Sequence, residues 1–123
     1  MKLYELSFAK IIKLRDDIAE VIVNEGIEYD MDMVEEYHQW IREHLQAPCY
    51  MLVNRLNSYT YTFEVQRKLA TIPEIKAIAL VVYNRSSLVG AEAIANIPKV
   101  RPWNSQICTS REDALAWLES QRN

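Results

Sequence analysis

Runs of apolar residues along the chain alternate with amphipathic stretches, and together they predict strands separated by helices. The first two runs flank Asp16-Asp17, a turn signal, and so predict a hairpin. The later runs are nearly continuous, which is typical of strands covered on both faces of a parallel sheet. The strands are predicted at residues 3–15, 18–23, 49–53, 75–83 and 105–109.

Helices are predicted between these strands and after the last one. Val34, Tyr37, Ile41 and Leu45 recur at helical spacing, so a helix is predicted over residues 32–45, with Asp30 or Asp32 as its cap. Three further helices are predicted at residues 63–71, from Ser86 or Ser87 to residue 96, and after the capping-box sequence of residues 110–113. The residues predicted to face inward are Phe63, Val65, Leu69, Val89, Ala93, Ile94, Ile97, Ala114, Leu115 and Leu118.

The element order predicts an α/β fold built from one domain, residues 1–123. The order β-β-α-β-α-β-α-β-α predicts a mixed, mostly parallel five-stranded sheet with four helices. The opening hairpin would supply one antiparallel edge. A chain of 123 residues is long enough to bury a core of its own.

Composition and charge exclude several functional classes. The net charge of −3 argues against nucleic acid as a partner, since that affinity comes mostly from neutralising phosphates. The two glycines are too few and too far apart for a Walker A loop or a dinucleotide-binding fingerprint. The longest apolar run, residues 77–83, is too short for a membrane span. A carboxylate as early as residue 5 argues against a signal peptide, so a cytoplasmic location is expected.

Two segments resemble the STAS superfamily, and in particular its small bacterial SpoIIAA-like group, whose fold is also similar to SEC14 lipid-binding domains. They are Ser-Arg-Glu-Asp-Ala-Leu-Ala-Trp-Leu at residues 110–118, and Ala-Ile-Ala-Leu-Val-Val at residues 77–82 followed by Asn84-Arg85-Ser86-Ser87. The resemblance implies the STAS-like fold and a regulatory role through protein partners. It also implies Ser58 as a phospho-acceptor, although Asn57 stands where the family motif has aspartate and no glycine follows.

Polar side chains follow three of the predicted strands. Ligands of open parallel sheets bind at the carboxyl ends of the strands, and helix N-termini there favour anions. The residues predicted to bind an anion or a partner are Asn57, Asn84, Arg85, Ser86 and Ser87, with Asn54, Arg55, Ser58, Thr109, Ser110 and Arg111 at the same three strand ends. The same residue types also cap helices and form turns, so both interpretations stay open.

Other reactive side chains show no spacing typical of a site. His38 and His44 lie six residues apart on one predicted helix, which is not the spacing of a metal-binding pair, so surface histidines and no metal are expected. Cys49 and Cys108 are expected to be buried thiols, and their redox state is left open. Tyr50, Tyr59, Tyr61 and Phe63 crowd one region, while Trp40 and Trp103 stand apart. All six could serve an interface, an apolar pocket or the core.

These observations favour a non-enzymatic regulatory or protein-interaction module of the STAS or SpoIIAA-like type, without a cofactor. A protein partner is expected, and a second copy of the chain is a candidate for it. The alternative is a protein that binds a small apolar ligand or lipid between the sheet and the helices.

Overall fold

The computed structural model describes residues 1–122, which form an α/β fold with a mixed sheet. The main sheet has six strands in the order β1-β2-β3-β5-β7-β8, and β4 and β6 form a separate two-stranded pair. The strands are β1 (Lys2–Glu5), β2 (Ala9–Arg15), β3 (Ile18–Val23), β4 (Glu28–Tyr29), β5 (Cys49–Asn54), β6 (Thr60–Tyr61), β7 (Ile75–Val81) and β8 (Ser105–Cys108). The helices are α1 (Met31–His44), α2 (Val65–Lys68), α3 (Arg85–Asn96) and α4 (Arg111–Ser120).

The main sheet has one strand more than the sequence predicts, because the run over residues 3–15 is two strands. β1 pairs with β2 and β2 with β3 in antiparallel fashion, whereas β3, β5, β7 and β8 pair in parallel. The missed turn lies at residues 6–8, where Leu6 N–H donates to the Ala9 carbonyl over 2.8 Å. This turn contains no Gly, Pro, Asn or Asp, and Ser7 stands between two apolar residues, so the sequence gives only a weak turn signal.

The sheet separates two cores of unequal size. Buried residues of α1, α2 and α3 belong to the larger core, and those of α4 belong to the smaller one. In β7, Ile78 and Leu80 face the larger core, while Ala77 and Ala79 face the smaller one. The nearly continuous apolar sequence of this strand is therefore explained by cover on both faces.

Two helices differ from their predicted extent or orientation. α2 is only four residues long; Phe63 lies before it and is 81% exposed, so the prediction that Phe63 faces inward is wrong. In α3, Val89 and Ala93 are exposed although they were predicted to face inward. The buried residues of this helix are Ala91 and Ile94.

Side-chain caps begin the three longer helices. Asp30, one of the two predicted candidates, accepts from Met33 N–H before α1. Ser110 accepts from Asp113 N–H before α4, which is the serine half of the predicted capping box. For α3 the cap is Asn84 and not Ser86 or Ser87. Asn84 accepts from Ser87 N–H over 2.8 Å, and Ser87 Oγ accepts from Asn84 N–H over 3.1 Å. This reciprocal pair is a capping box and sets the first turn of α3.

None of the helices in residues 1–122 is long and apolar enough to cross a membrane.

His38 ties α1 to the segment that follows α2, and we expect it to make the stability of the protein depend on pH. Its Nε2 accepts from Ala70 N–H over 2.9 Å, so the ring is neutral in this contact. Burial, helped by the nearby Arg42 charge, lowers the pKa of His38 from 6.5 to about 4. The unfolded chain therefore binds the proton first. The contribution of neutral His38 to the free energy of unfolding is complete above pH 6.5 and is lost as the pH falls towards 4. Over this range the free energy of unfolding falls by at most about 1.4 kcal/mol per pH unit.

Chemical denaturation at about pH 7 and about pH 5 measures this dependence. His38→Gln keeps an acceptor for Ala70 N–H without a titrating ring, so its loss of stability between the two pH values should be smaller than that of the natural protein. His44→Gln is the matched control. An unchanged pH dependence in His38→Gln would contradict the prediction.

Candidate functional site

A pocket opens at the carboxyl ends of β5 and β7, where the loop after β5 meets the first turns of α3. Its volume is about 300 Å³. Most of its lining residues carry polar side chains. We call it the Arg55 pocket; its polar lining residues are Arg55, Asn57, Ser58, Asn84, Ser86 and Ser87.

Arg55 is the buried cation of this pocket. Only 6% of its surface is exposed, and none of the ion pairs within residues 1–122 includes it. Nη1 donates to the Tyr61 hydroxyl over 2.7 Å and, more weakly, to that of Tyr59 over 3.4 Å. Nε is buried without a hydrogen-bond partner. Buried charges in proteins are normally paired, so the uncompensated guanidinium is the unusual feature of the site.

The aromatic neighbours of Arg55 compensate its charge only in part. The guanidinium carbon lies 4.9 Å from the centre of the Tyr59 ring, a cation–π contact that favours the cation. Burial raises the pKa of Tyr59 well above its usual value, so this phenol stays neutral at physiological pH. A neutral ring and hydroxyl hold the guanidinium in place without cancelling its charge.

Gly90 explains how α3 comes so close to this guanidinium. A Cβ atom built on Gly90 would lie 2.6 Å from Arg55 Nη2, far inside van der Waals contact. Glycine inside a helix costs up to about 1 kcal/mol relative to alanine. Its place here is therefore explained by the approach of Arg55. Ala91 and Ile94 are the buried residues of α3, whereas Val89 and Ala93 are exposed.

The structure brings most of the predicted anion-binding residues together but separates Arg85 from them. Asn57, Ser58, Asn84, Ser86 and Ser87 all line the Arg55 pocket. Arg85 is exposed in the first turn of α3 and is not among the lining residues. The cation inside the pocket is Arg55, which the sequence analysis named only as one of several strand-end residues.

The loop that carries Asn57 and Ser58 is held against β3 and the turn after it. Asn57 Nδ2 donates to the Val23 carbonyl over 3.0 Å. Ser58 N–H donates to the Glu25 carboxylate over 3.2 Å, and its carbonyl accepts from Gly26 N–H over 2.8 Å. Ser58 is exposed and lies in this loop between β5 and β6, not at the start of a helix. Its phosphorylation stays a prediction.

The third predicted strand end belongs to a different cluster, on the α4 side of the sheet. Glu20 is only 2% exposed. Its carboxylate accepts from Arg111 Nη2 over 2.6 Å and from Asn54 Nδ2 over 2.8 Å. The Tyr83 hydroxyl donates to Asn54 Oδ1 over 2.7 Å. This buried carboxylate is fully engaged, and Arg111 is therefore a structural partner of Glu20.

The histidines and cysteines take part in packing. Cys49 belongs to the larger core and Cys108 to the smaller one, on opposite faces of the sheet, and both thiols are free. Burial raises the pKa of Cys49 to about 12, so the thiol is protonated at physiological pH. His44 is half-buried and stacks on Trp40, with a ring-centre distance of 4.7 Å. Neither this ring nor His38 is a freely solvated histidine, contrary to expectation.

Within residues 1–122, no group of three or more His, Cys, Asp or Glu side chains is arranged to hold a metal ion.

The aromatic residues lie mostly inside the protein. Trp40 and Tyr50 are buried, and Trp103 is half-buried with Nε1 donating to the Leu69 carbonyl over 2.9 Å. Between the sheet and the helices, Tyr59, Tyr61 and Trp103 help to line a mostly apolar cavity of about 20 Å³. That volume is room for about one water molecule.

Comparisons with protein-family models, curated proteins and solved structures give no match to this chain.

Proposed function

We propose that this protein is a non-enzymatic binding module that takes up an anionic group in the Arg55 pocket. The observation that carries the proposal is the buried guanidinium of Arg55, with its unpartnered Nε and without a carboxylate partner. Arginine does not lose its charge in proteins, so burial cannot neutralise it. An anion entering the pocket would supply the missing negative charge beside the guanidinium.

The surroundings of Arg55 support an anion as the occupant. The pocket lies at the N-terminus of α3, a helix of 12 residues, and the helix dipole places partial positive charge there. Hydroxyl and amide groups from Ser58, Ser86 and Asn57 line the same space. Hydrogen-bond donors of this kind are suited to oxyanions such as phosphate or a carboxylate.

The test is binding of inorganic phosphate and of acetate, measured by calorimetry or NMR titration at constant ionic strength. The natural protein is expected to bind at least one of them. Arg55→Met should weaken that binding by about tenfold or more, because hydrogen bonds to a charged group each contribute roughly 1.5–3 kcal/mol. Since a buried charge is replaced by an apolar side chain of similar length, the variant should keep its fold and its thermal midpoint.

Arg85→Met is the matched control, because it removes an arginine from the neighbouring helix turn without touching the pocket lining. It is expected to leave phosphate binding nearly unchanged. Gly90→Ala is a second variant: it favours the helix but pushes the guanidinium aside, so binding should fall while stability holds. The proposal fails if the natural protein binds neither ion, or if Arg55→Met binds as tightly as the natural protein.

The predicted regulatory role through a protein partner is compatible with this site. Leu56 and Val89 line the pocket and are both more than half exposed. Apolar side chains beside a polar pocket are suited to contact with a partner surface. Membership in the STAS superfamily stays part of the proposal, supported by the quoted segments and by the α/β architecture with four helices. Self-association stays a prediction as well.

A further inference from the structure

A second depression also borders Arg55. It has a volume of about 290 Å³ and is lined mainly by apolar atoms. Tyr61, Ala93, Ile94 and Ile97 contribute to it, and we call it the apolar groove. From Gly90 to Ile97 it follows two turns of α3, a length of about 10 Å.

The apolar groove and the Arg55 pocket share three residues, namely Arg55, Tyr59 and Gly90. Because Gly90 has no side chain, α3 places no side chain between the two depressions at this position. Arg55 therefore borders both a polar and an apolar space. A molecule that carries an anionic group next to an apolar one would match both depressions.

We infer that the ligand of this site is a small amphiphilic acid, a phosphate monoester or carboxylate that carries a short aliphatic chain. The inference rests on the proposed function, since it assigns the anionic group to the Arg55 pocket and adds the chain in the apolar groove. Each depression has the volume of a small-molecule site rather than that of an extended surface. The charge of Arg55 determines the sign of the head group, and the apolar lining of the groove determines the character of the chain.

The experiment compares inorganic phosphate with ethyl, butyl and hexyl phosphate as ligands of the natural protein. Burial of methylene groups in the apolar groove should strengthen binding by about fourfold per carbon until the groove is filled. Ala93→Gln places a longer, polar side chain in the groove. The Ala93→Gln variant should retain the affinity for inorganic phosphate, but its affinity should no longer increase with the length of the alkyl chain. Glu92→Gln introduces the same side chain at the neighbouring position, outside both depressions, and should behave like the natural protein.

The outcomes separate this inference from the proposed function. If inorganic phosphate binds and Arg55→Met weakens it, but hexyl phosphate binds no more tightly, the inference is wrong and the proposed function stands. If Ala93→Gln keeps the full gain with chain length, the chain lies elsewhere and the inference is again wrong. If no member of the series binds, the inference is wrong, and the proposed function fails as well when acetate does not bind either. A gain with chain length that Ala93→Gln abolishes and Glu92→Gln preserves supports the inference.

Discussion

Replacing Arg111 by alanine is expected to destabilise the protein by on the order of 3 kcal/mol, although much of this side chain is exposed. The cause is Glu20, whose buried carboxylate would keep only the 2.8 Å hydrogen bond from Asn54. An uncompensated charge in a core costs far more than an exposed ion pair contributes. Against a typical unfolding free energy of about 5–15 kcal/mol, this loss is a large fraction.

Equilibrium denaturation of Arg111→Ala measures the effect. Arg42→Ala is the matched control, since it breaks an exposed arginine–glutamate pair of similar geometry, with 2.8 Å between Arg42 Nε and Glu74 Oε2. That control should change the midpoint little. Adding Glu20→Gln to Arg111→Ala removes the buried charge and keeps the contact with Asn54, so part of the stability should return. Equal stability of Arg111→Ala and Arg42→Ala would contradict the prediction.

Replacing Leu118 by alanine should destabilise the protein by about 2–5 kcal/mol. Leu118 has no exposed surface and belongs to the smaller core together with Leu52 and Ala79. Within residues 1–122, α4 is the one helix whose buried residues belong to this core. Its removal would leave a cavity between α4 and the sheet, which adds to the lost transfer free energy.

Urea unfolding of Leu118→Ala should show a lower midpoint with an unchanged dependence on denaturant. Leu115→Ala, one turn earlier in α4, deletes the same atoms from a half-buried side chain and should cost clearly less. The expectation is refuted if the two variants lose the same free energy.

The site was only partly predictable from the sequence. Asn57, Asn84 and Ser86 were expected to lie near one another, because the carboxyl ends of neighbouring parallel strands meet at one edge of the sheet. The positions of Arg55 and Arg85 in the sequence do not show which of the two enters the site. Both follow strands that the sequence predicts, and only the packing of α3 decides which of them is enclosed.

Gly90 was the available signal for this distinction. A lone glycine inside a predicted helix is unfavourable and indicates close packing against another group. Its meaning depends on a partner more than 30 residues away in the chain, so the helix pattern alone cannot identify Arg55. The pairing of Glu20 with Arg111, 91 positions apart, is hidden for the same reason.

Asn54 and Arg55 show how adjacent residues can serve two different clusters. Asn54, the last residue of β5, donates a hydrogen bond to the Glu20 carboxylate on the α4 side of the sheet. Arg55, directly after it, enters the pocket beside α3. Successive side chains of an extended strand point to opposite faces, so this division follows from the backbone once the strand is in place.

The sequence by itself determined the α/β class, the existence of the four helices and the central buried strand β7. These features follow from local hydrophobic period and capping, which act between residues close together in the chain. Only the tertiary structure decided that residues 3–15 form two strands, that α3 turns Gly90 inward and that Arg55 is buried without a counter-charge. Those outcomes depend on contacts between distant residues, whose free energies no local pattern contains.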